Sequence, residues 1–176
     1  MALESPTASA SLSTSVESSA PRWKYEVFLS FSGTDTRRGF TYYLYNELQN
    51  REIKTFMDVD PTSLDRGEGI SQSILEAIQE SRFAIVVLSQ NYASSSWCLD
   101  ELTQIMQCME NKETILPVFY HVDPSDVRHQ RGSFGAAFAA HEARFKDQKE
   151  RLMKWRDALN KIGSIFGWAC GSGSSE

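Results

Sequence analysis

Phe83-Ala84-Ile85-Val86-Val87-Leu88 is an uninterrupted apolar run between Arg82 and a polar segment that opens at Ser89. Such a run has no wet face, so it suits a strand covered on both sides, as in a parallel sheet with helices on each face. It is the expected centre of the sheet. Upstream, Tyr25-Glu26-Val27-Phe28-Leu29-Ser30-Phe31 is rich in β-branched and aromatic residues and reads as a buried strand, punctuated by Ser32-Gly33-Thr34-Asp35. Asp35 or Thr36 is then placed to cap a helix with Phe40, Tyr43, Leu44 and Leu48 on one face. Tyr42 and Tyr43 cannot both face inward, so one of them is expected at the surface, as a contact for a partner.

Ile53 to Met57 reads as a second strand, and Asp58 to Gly69 as a polar loop. Ile70, Ile74 and Ile78 step by four through a second helix. Ile115 to Val122 supplies a fourth strand. Pro117 inside it has no amide proton for a ladder, which favours an edge or irregular position. Asp123-Pro124-Ser125-Asp126-Val127-Arg128 opens as a turn, Phe134, Phe138, His141 and Phe145 mark another helical face, and Leu152, Trp155, Leu159, Ile162 and Phe166 mark a terminal helix. Strands alternating with helices give a doubly wound α/β sheet.

In such sheets ligands sit outside the carboxyl ends of the strands. That rim consists here of Ser32 to Arg37, Asp58 to Gly69, Ser89 to Glu101 and His121 to Arg128. A helix starts near Ser96, and Cys98, Leu102, Ile105, Met106 and Met109 fall on one apolar stripe at roughly 100° per residue. On that wheel Asp100 points away and reads as solvated. Glu101 lies roughly 80° from the centre of the stripe, beside Trp97 one turn earlier, and reads as a border carboxylate. A first-turn Glu has an ordinary explanation in the helix dipole, worth roughly 0.3–1 kcal/mol. Its place on the rim is what makes it a candidate site residue.

The 176 residues fit one domain with tails. A net charge of -5 argues against gripping a phosphate backbone, and no apolar stretch nears the roughly 20 residues of a membrane span. Neither nucleic acid nor a membrane is therefore an expected partner. Cys98, Cys108 and Cys170 form no CxxC and no zinc pattern with His121, His129 or His141, so free thiols of a reducing compartment are expected and a metal site is not. Residues 1–22, rich in Ser, Ala and Thr, read as a disordered tail with a weak resemblance in composition to a transit peptide. Residues 169–176 read as a flexible Gly/Ser tail. A dinucleotide fingerprint or a P-loop would follow the first strand, and Ser32-Gly33-Thr34-Asp35-Thr36-Arg37 is neither. A phospho-acceptor receiver would place an Asp at the end of the third strand, where this chain has Ser89.

Several ordered blocks together resemble a plant-type TIR (Toll/interleukin-1 receptor/resistance protein) domain, from about Tyr25 to Trp168, with the domain taken as residues 23–168. They are Tyr25 to Phe31, Gly33 with Asp35-Thr36-Arg37, Leu64 with Arg66-Gly67-Glu68, Ser96 to Leu102, Pro117 to Tyr120, Val122 to Arg128, and Trp155-Arg156-Asp157-Ala158-Leu159. The resemblance implies a flavodoxin-like TIR fold with a five-stranded parallel sheet, one strand more than the pattern shows. It implies a self-associating immune signalling domain that cleaves NAD or NADP, as substrate rather than cofactor, at the nicotinamide–ribose bond, with products that lead to cell death. Glu101 matches the family's catalytic carboxylate, and Trp97 the aromatic beside the nicotinamide. Ser32, Gly33, Thr34, Asp35, Thr36, Arg37 and Gly67 match the loops that close over the nucleotide. Partners would be further copies and other TIR domains, through the first, fourth and last helices, in the cytoplasm or nucleus. The family usually has Arg and Glu at the positions of Ser32 and Thr34 and Ser-His at those of Tyr42-Tyr43, and the loop after Asp58 is longer through Pro61 to Ser63. The alternative is a non-catalytic scaffold that signals through TIR–TIR contact.

Overall fold

A computed structural model describes residues 22–36, 38–58, 69–109 and 111–171. Arg37, the tails 1–21 and 172–176, and the segment 59–68 with Pro61, Leu64, Arg66 and Gly67 lie outside the described residues. The chain alternates β1 (Tyr25–Phe31), α1 (Gly33–Thr36), α2 (Phe40–Asn50), β2 (Thr55–Met57), α3 (Gln72–Gln79), β3 (Ser81–Leu88), α4 (Ser96–Cys108), β4 (Ile115–Tyr120), α5 (Pro124–His129), α6 (Ser133–Arg144), α7 (Lys149–Ile162) and β5 (Trp168–Cys170). The strands form one parallel sheet in the order β2-β1-β3-β4-β5. The apolar run of β3 is at its centre, as its sequence requires.

Both faces of the sheet are covered, because the strands alternate their side chains between two apolar layers. Phe28, Ala84, Val86 and Leu88 pack against α3, α4, α6 and α7, with Phe28 stacked on Phe56 at 5.5 Å. Val27, Leu29, Phe31, Ile85 and Val87 pack instead on Phe40, Leu44, Tyr45 and Leu48 of α2. Each fully buried side chain of this kind stabilises the fold by roughly 1.5–3 kcal/mol. Ser30 shares the face of Phe28, two residues on, and so points toward α4.

Several expectations are corrected by this geometry. The fifth strand, β5, takes in Ala169 and Cys170, which the sequence pattern assigns to a flexible tail. β4 is therefore not an edge. Pro117 pairs with Val86 of β3, and pairing with β5 begins only at Val118, so the missing amide sits where the last strand has not yet started. Gly167 makes that approach possible, since a Cβ there would collide with the Pro117 carbonyl. Asp123 to Arg128 is not merely a turn: Asp123 caps α5 by accepting from the Ser125 amide at 2.7 Å, with Pro124 in the first helical position. Neither Asp35 nor Thr36 caps α2, whose N-cap is Gly39 without a side-chain bond. Tyr43 is not on the inner face of α2, and both Tyr42 and Tyr43 are exposed. Tyr45 takes the inward place. Phe166 lies beyond the end of α7 and is almost wholly exposed.

The largest correction concerns Asp100, which is not solvated. Its carboxylate accepts from Arg151 Nη2 at 2.5 Å, from Arg151 Nε at 3.2 Å and from Trp155 Nε1 at 2.8 Å, joining the first turn of α4 to α7. The helix wheel is right that Asp100 faces away from the apolar stripe. What it cannot contain is a second helix on that side. The Arg151 guanidinium also lies 4.8 Å over the Trp155 ring. His141, on the aromatic face of α6, is buried and donates from Nε2 to the Ala93 carbonyl at 2.7 Å, a core role rather than a ligand's. Removing Asp100 takes from Trp155 Nε1 its acceptor and from Arg151 two of its hydrogen bonds, in a mostly dry site. Asp100→Ala is expected to lower unfolding free energy by about 2–3 kcal/mol in a urea titration, a cost typical of a broken buried pair. A loss under about 0.5 kcal/mol would show that the pair behaves as a surface ion pair.

Candidate functional site

The strand order reverses between β1 and β3, because the connection from β1 runs outward to β2 and that from β2 returns across β1 to β3. A crevice opens at such a switch point, at the carboxyl ends of the two strands. α4 enters over this crevice. Ser95 caps it by accepting from the Cys98 amide at 3.2 Å, so the helix begins at Ser96 as expected, and this fixes Trp97 and Glu101 one turn apart over the end of β1.

Glu101 is not a border residue but a buried one, with 3% of its surface exposed. Ser30 Oγ donates to Glu101 Oε2 at 2.7 Å, and Trp97 Nε1 donates to Oε1 at 3.0 Å. The same indole N–H is shared with Asp58 Oδ2 at 3.1 Å, at the end of β2. Behind Ser30, its hydroxyl lies 2.9 Å from the Tyr92 hydroxyl, which also reaches the Cys98 carbonyl at 3.1 Å. One carboxylate is thus held by residues from β1, the segment after β3 and α4. The helix wheel places Glu101 off the stripe correctly, but the end of β1 covers that flank.

Burial pushes the Glu101 carboxyl from its ordinary value of 4.5 up to about 8; the hydrogen bonds from Ser30 and Trp97 oppose this, and the charges of Asp58 and Asp100 add to it. Burial and the nearby Glu101 charge likewise raise the Cys98 thiol, which is no reactive thiolate. A carboxyl with its proton affinity moved toward neutrality in a sheet crevice is the signature expected of a group that works on a ligand. Among the described residues no cluster of His, Cys, Asp and Glu is suited to a metal ion.

The other residues singled out from the sequence divide. Trp97 is brought to Glu101 directly. Ser32 is buried, and its carbonyl accepts from the Asp35 and Thr36 amides and the Thr36 hydroxyl, so Ser32, Gly33, Thr34, Asp35 and Thr36 form one tight turn at the end of β1. Thr36 points inward, to accept from Thr41 at 2.6 Å. Asp35 is already engaged: it accepts from the Asn91 amide at 2.7 Å and from Asn91 Nδ2 at 2.5 Å, which clasps the β1 turn to the segment after β3. Partial burial raises its proton affinity, and the Asn91 bonds together with the nearby Ser89 hydroxyl more than reverse this, holding the carboxyl below its usual value. Arg37 and Gly67 lie outside the described residues. Sequence reasoning misses Ser30, Tyr92, Asn91 and Asp58. Ser30 alone carried a signal, as the one polar residue within the run Val27 to Phe31.

Comparison with known proteins agrees with this architecture. The family model for the TIR domain matches residues 24–176. The chain is 50% identical over 151 residues to TMV resistance protein N of Nicotiana glutinosa, covering 85% of this chain and 13% of that protein. It is 49% identical over 160 residues to disease resistance protein RPV1 of Vitis rotundifolia, covering 90% of this chain and 11% of that protein. The chain thus spans a small part of the length of these relatives. Among solved structures, the TIR domains of the activated Roq1 resistosome, which directly recognises the pathogen effector XopQ, superpose with a TM-score of 0.71 at 48% identity, covering 82% of this chain and 87% of that one. With a five-stranded parallel sheet, helices on both faces and a family match over nearly all its described length, this chain belongs to the TIR domain family.

Proposed function

We propose that this TIR domain is a plant immune signalling module that, once assembled with further copies, hydrolyses NAD or NADP at the nicotinamide–ribose bond. The observation that carries the proposal is the buried carboxyl of Glu101, held by Ser30 and Trp97 in the crevice between β1 and β3. Nicotinamide leaves its cationic precursor as a neutral ring, so departure needs no general acid, and a single carboxylate can suffice where ordinary glycosidases use two. Glu101 would orient the ribose hydroxyls and stabilise the positive charge that grows on the sugar as the bond breaks. The acidic surroundings, with Asp58 sharing the Trp97 N–H, suit a positively charged pyridinium better than a bare phosphate. The β1 turn from Ser32 to Thr36, with Arg37 and Gly67, would close over the nucleotide.

Burial of Glu101 also explains why assembly would be required. With its carboxyl covered, substrate reaches it only after Trp97 or the rim segments shift, and a neighbouring copy can stabilise that shifted arrangement. Exposed Tyr42 and Tyr43 on α2 and Met153 on α7 offer apolar surface for such contacts. The products would be signalling nucleotides that lead to cell death, formed in the cytoplasm or nucleus. The same coverage of Glu101 and the same exposed surface favour a second reading, a scaffold that signals through TIR–TIR contact alone.

Nicotinamide release, followed by mass spectrometry, is expected to rise more than linearly with protein concentration; strict proportionality over a wide range would remove the role of assembly. Glu101→Ala and the isosteric Glu101→Gln are expected to lower release at least 100-fold while preserving the fold and self-association, a loss on the scale of removing one transition-state contact. Because the ionised carboxylate is the active form and burial raises its proton affinity, wild-type release should climb as pH rises toward about 8. A Glu101→Ala protein that still releases nicotinamide, or an assembled wild type that never does, would leave the scaffold reading.

A further inference from the structure

Behind Glu101 the Ser30 hydroxyl continues to a second one, that of Tyr92, which the NAD-cleavage reading does not itself use. Ser30 and Tyr92 are almost wholly buried, at 1% and 0% exposure, and neither can reach solvent for a partner. Ser30 Oγ has one proton and two neighbours, Glu101 Oε2 at 2.7 Å and the Tyr92 oxygen at 2.9 Å. The Tyr92 hydroxyl likewise has one proton and two acceptors within reach, Ser30 Oγ and the Cys98 carbonyl at 3.1 Å.

Counting protons gives, for each charge state of Glu101, an arrangement in which the Glu101–Ser30 and Ser30–Tyr92 contacts both carry a proton. With Glu101 ionised, Ser30 donates to the carboxylate and Tyr92 donates to Ser30. With Glu101 protonated, its O–H donates to Ser30, Ser30 donates to Tyr92, and Tyr92 turns its proton to the Cys98 carbonyl. No heavy atom moves between the two, and every hydroxyl proton has an acceptor in both. The Cys98 carbonyl supplies the acceptor that the end of the chain needs when Glu101 is protonated.

Resting on the NAD-cleavage reading above, we propose that Ser30 and Tyr92 are positioning residues for Glu101, forming a buried hydrogen-bond chain that reverses direction as Glu101 gains or loses its proton. The carboxyl then keeps one geometry toward substrate in both charge states. Among the described residues, the groups that bear on its charge come from each element packed around it. β1 contributes the neutral Ser30, the segment after β3 contributes Tyr92, α4 contributes Cys98 and Asp100, and Asp58 after β2 acts across Trp97. Asp100 is itself neutralised by Arg151 from α7.

The test uses protein labelled with ¹³C at glutamate side-chain carboxyls, with Glu101→Gln to assign the Glu101 resonance, and follows its titration in wild type, Ser30→Ala and Tyr92→Phe. Tyr92→Phe deletes one oxygen and leaves the buried ring, so it guards against a misfolded Ser30→Ala. Loss of Ser30 removes the charge-assisted bond to the ionised form, and the Glu101 midpoint should rise by about one pH unit, with a smaller rise for Tyr92→Phe. The rising limb of nicotinamide release against pH should move by the same amounts. Near pH 7 this means roughly ten-fold less release for Ser30→Ala, with recovery at higher pH. Midpoints and pH profiles unmoved in folded variants of an active wild type, or activity falling equally at every pH, would overturn the positioning role alone. Shifted midpoints with a wild type that never releases nicotinamide would overturn the NAD-cleavage reading, and with it any positioning for that reaction.

Discussion

The hydrogen bond from Ser30 to Glu101 joins the first strand to the fourth helix at the point where the sheet reverses its order. Around it the fold accepts an expense that a purely structural protein would avoid: a carboxylate out of water, with two further carboxylates near enough to oppose its charge. A Leu at that position would suit the apolar layer formed by Leu99 and Leu102 and would need no partner. Retaining Glu101 there, with Ser30, Trp97 and Tyr92 placed around it, makes sense if the group acts on a ligand, and strain of this kind gathers at functional sites.

The two adjacent carboxylates of α4 divide the work. Asp100 faces α7 and is neutralised by Arg151 and Trp155, which anchors the helix. Glu101, one residue on, faces the sheet and is left with its proton affinity raised. The last helix therefore fixes the angle at which the first turn of α4 meets the crevice. A contact made on α7 by another copy would reach, through Arg151 and Trp155, the same turn that carries Trp97 and Glu101.

Much of the fold was legible because its signals are local. The apolar run of β3, the spacing of α6 and α7 and the serines before α4 each dictate their element without reference to distant chain. Contacts between elements were not legible. Periodicity placed Asp100 away from the core stripe of α4, yet could not contain α7, which makes that side interior as well. It placed Glu101 at a border that β1 closes over. Pro117 looked like an edge residue because a three-residue β5 carries little pattern of its own, and Ala169-Cys170 followed by Gly171 resembles a tail. Of the candidate site, Trp97 and Glu101 were singled out from sequence, whereas Ser30 and Tyr92 emerge only once strand register and helix placement bring residues 71 and 62 positions apart into contact.

The central claim is that Glu101 is a buried carboxyl maintained at a cost to the fold. Its ordinary value is 4.5 and its native value about 8, so between these the native state holds the proton more tightly than the unfolded chain, and the stability it confers is lost as pH rises through the window. Glu101→Gln has no such proton. The direct measurement is unfolding free energy by urea for wild type and Glu101→Gln from about pH 5 to about pH 9. The stability of the Gln variant relative to wild type is expected to grow steadily up to about pH 8 and then level off. Two curves that stay parallel across this range would mean that Glu101 titrates as an ordinary surface carboxylate, and would contradict it.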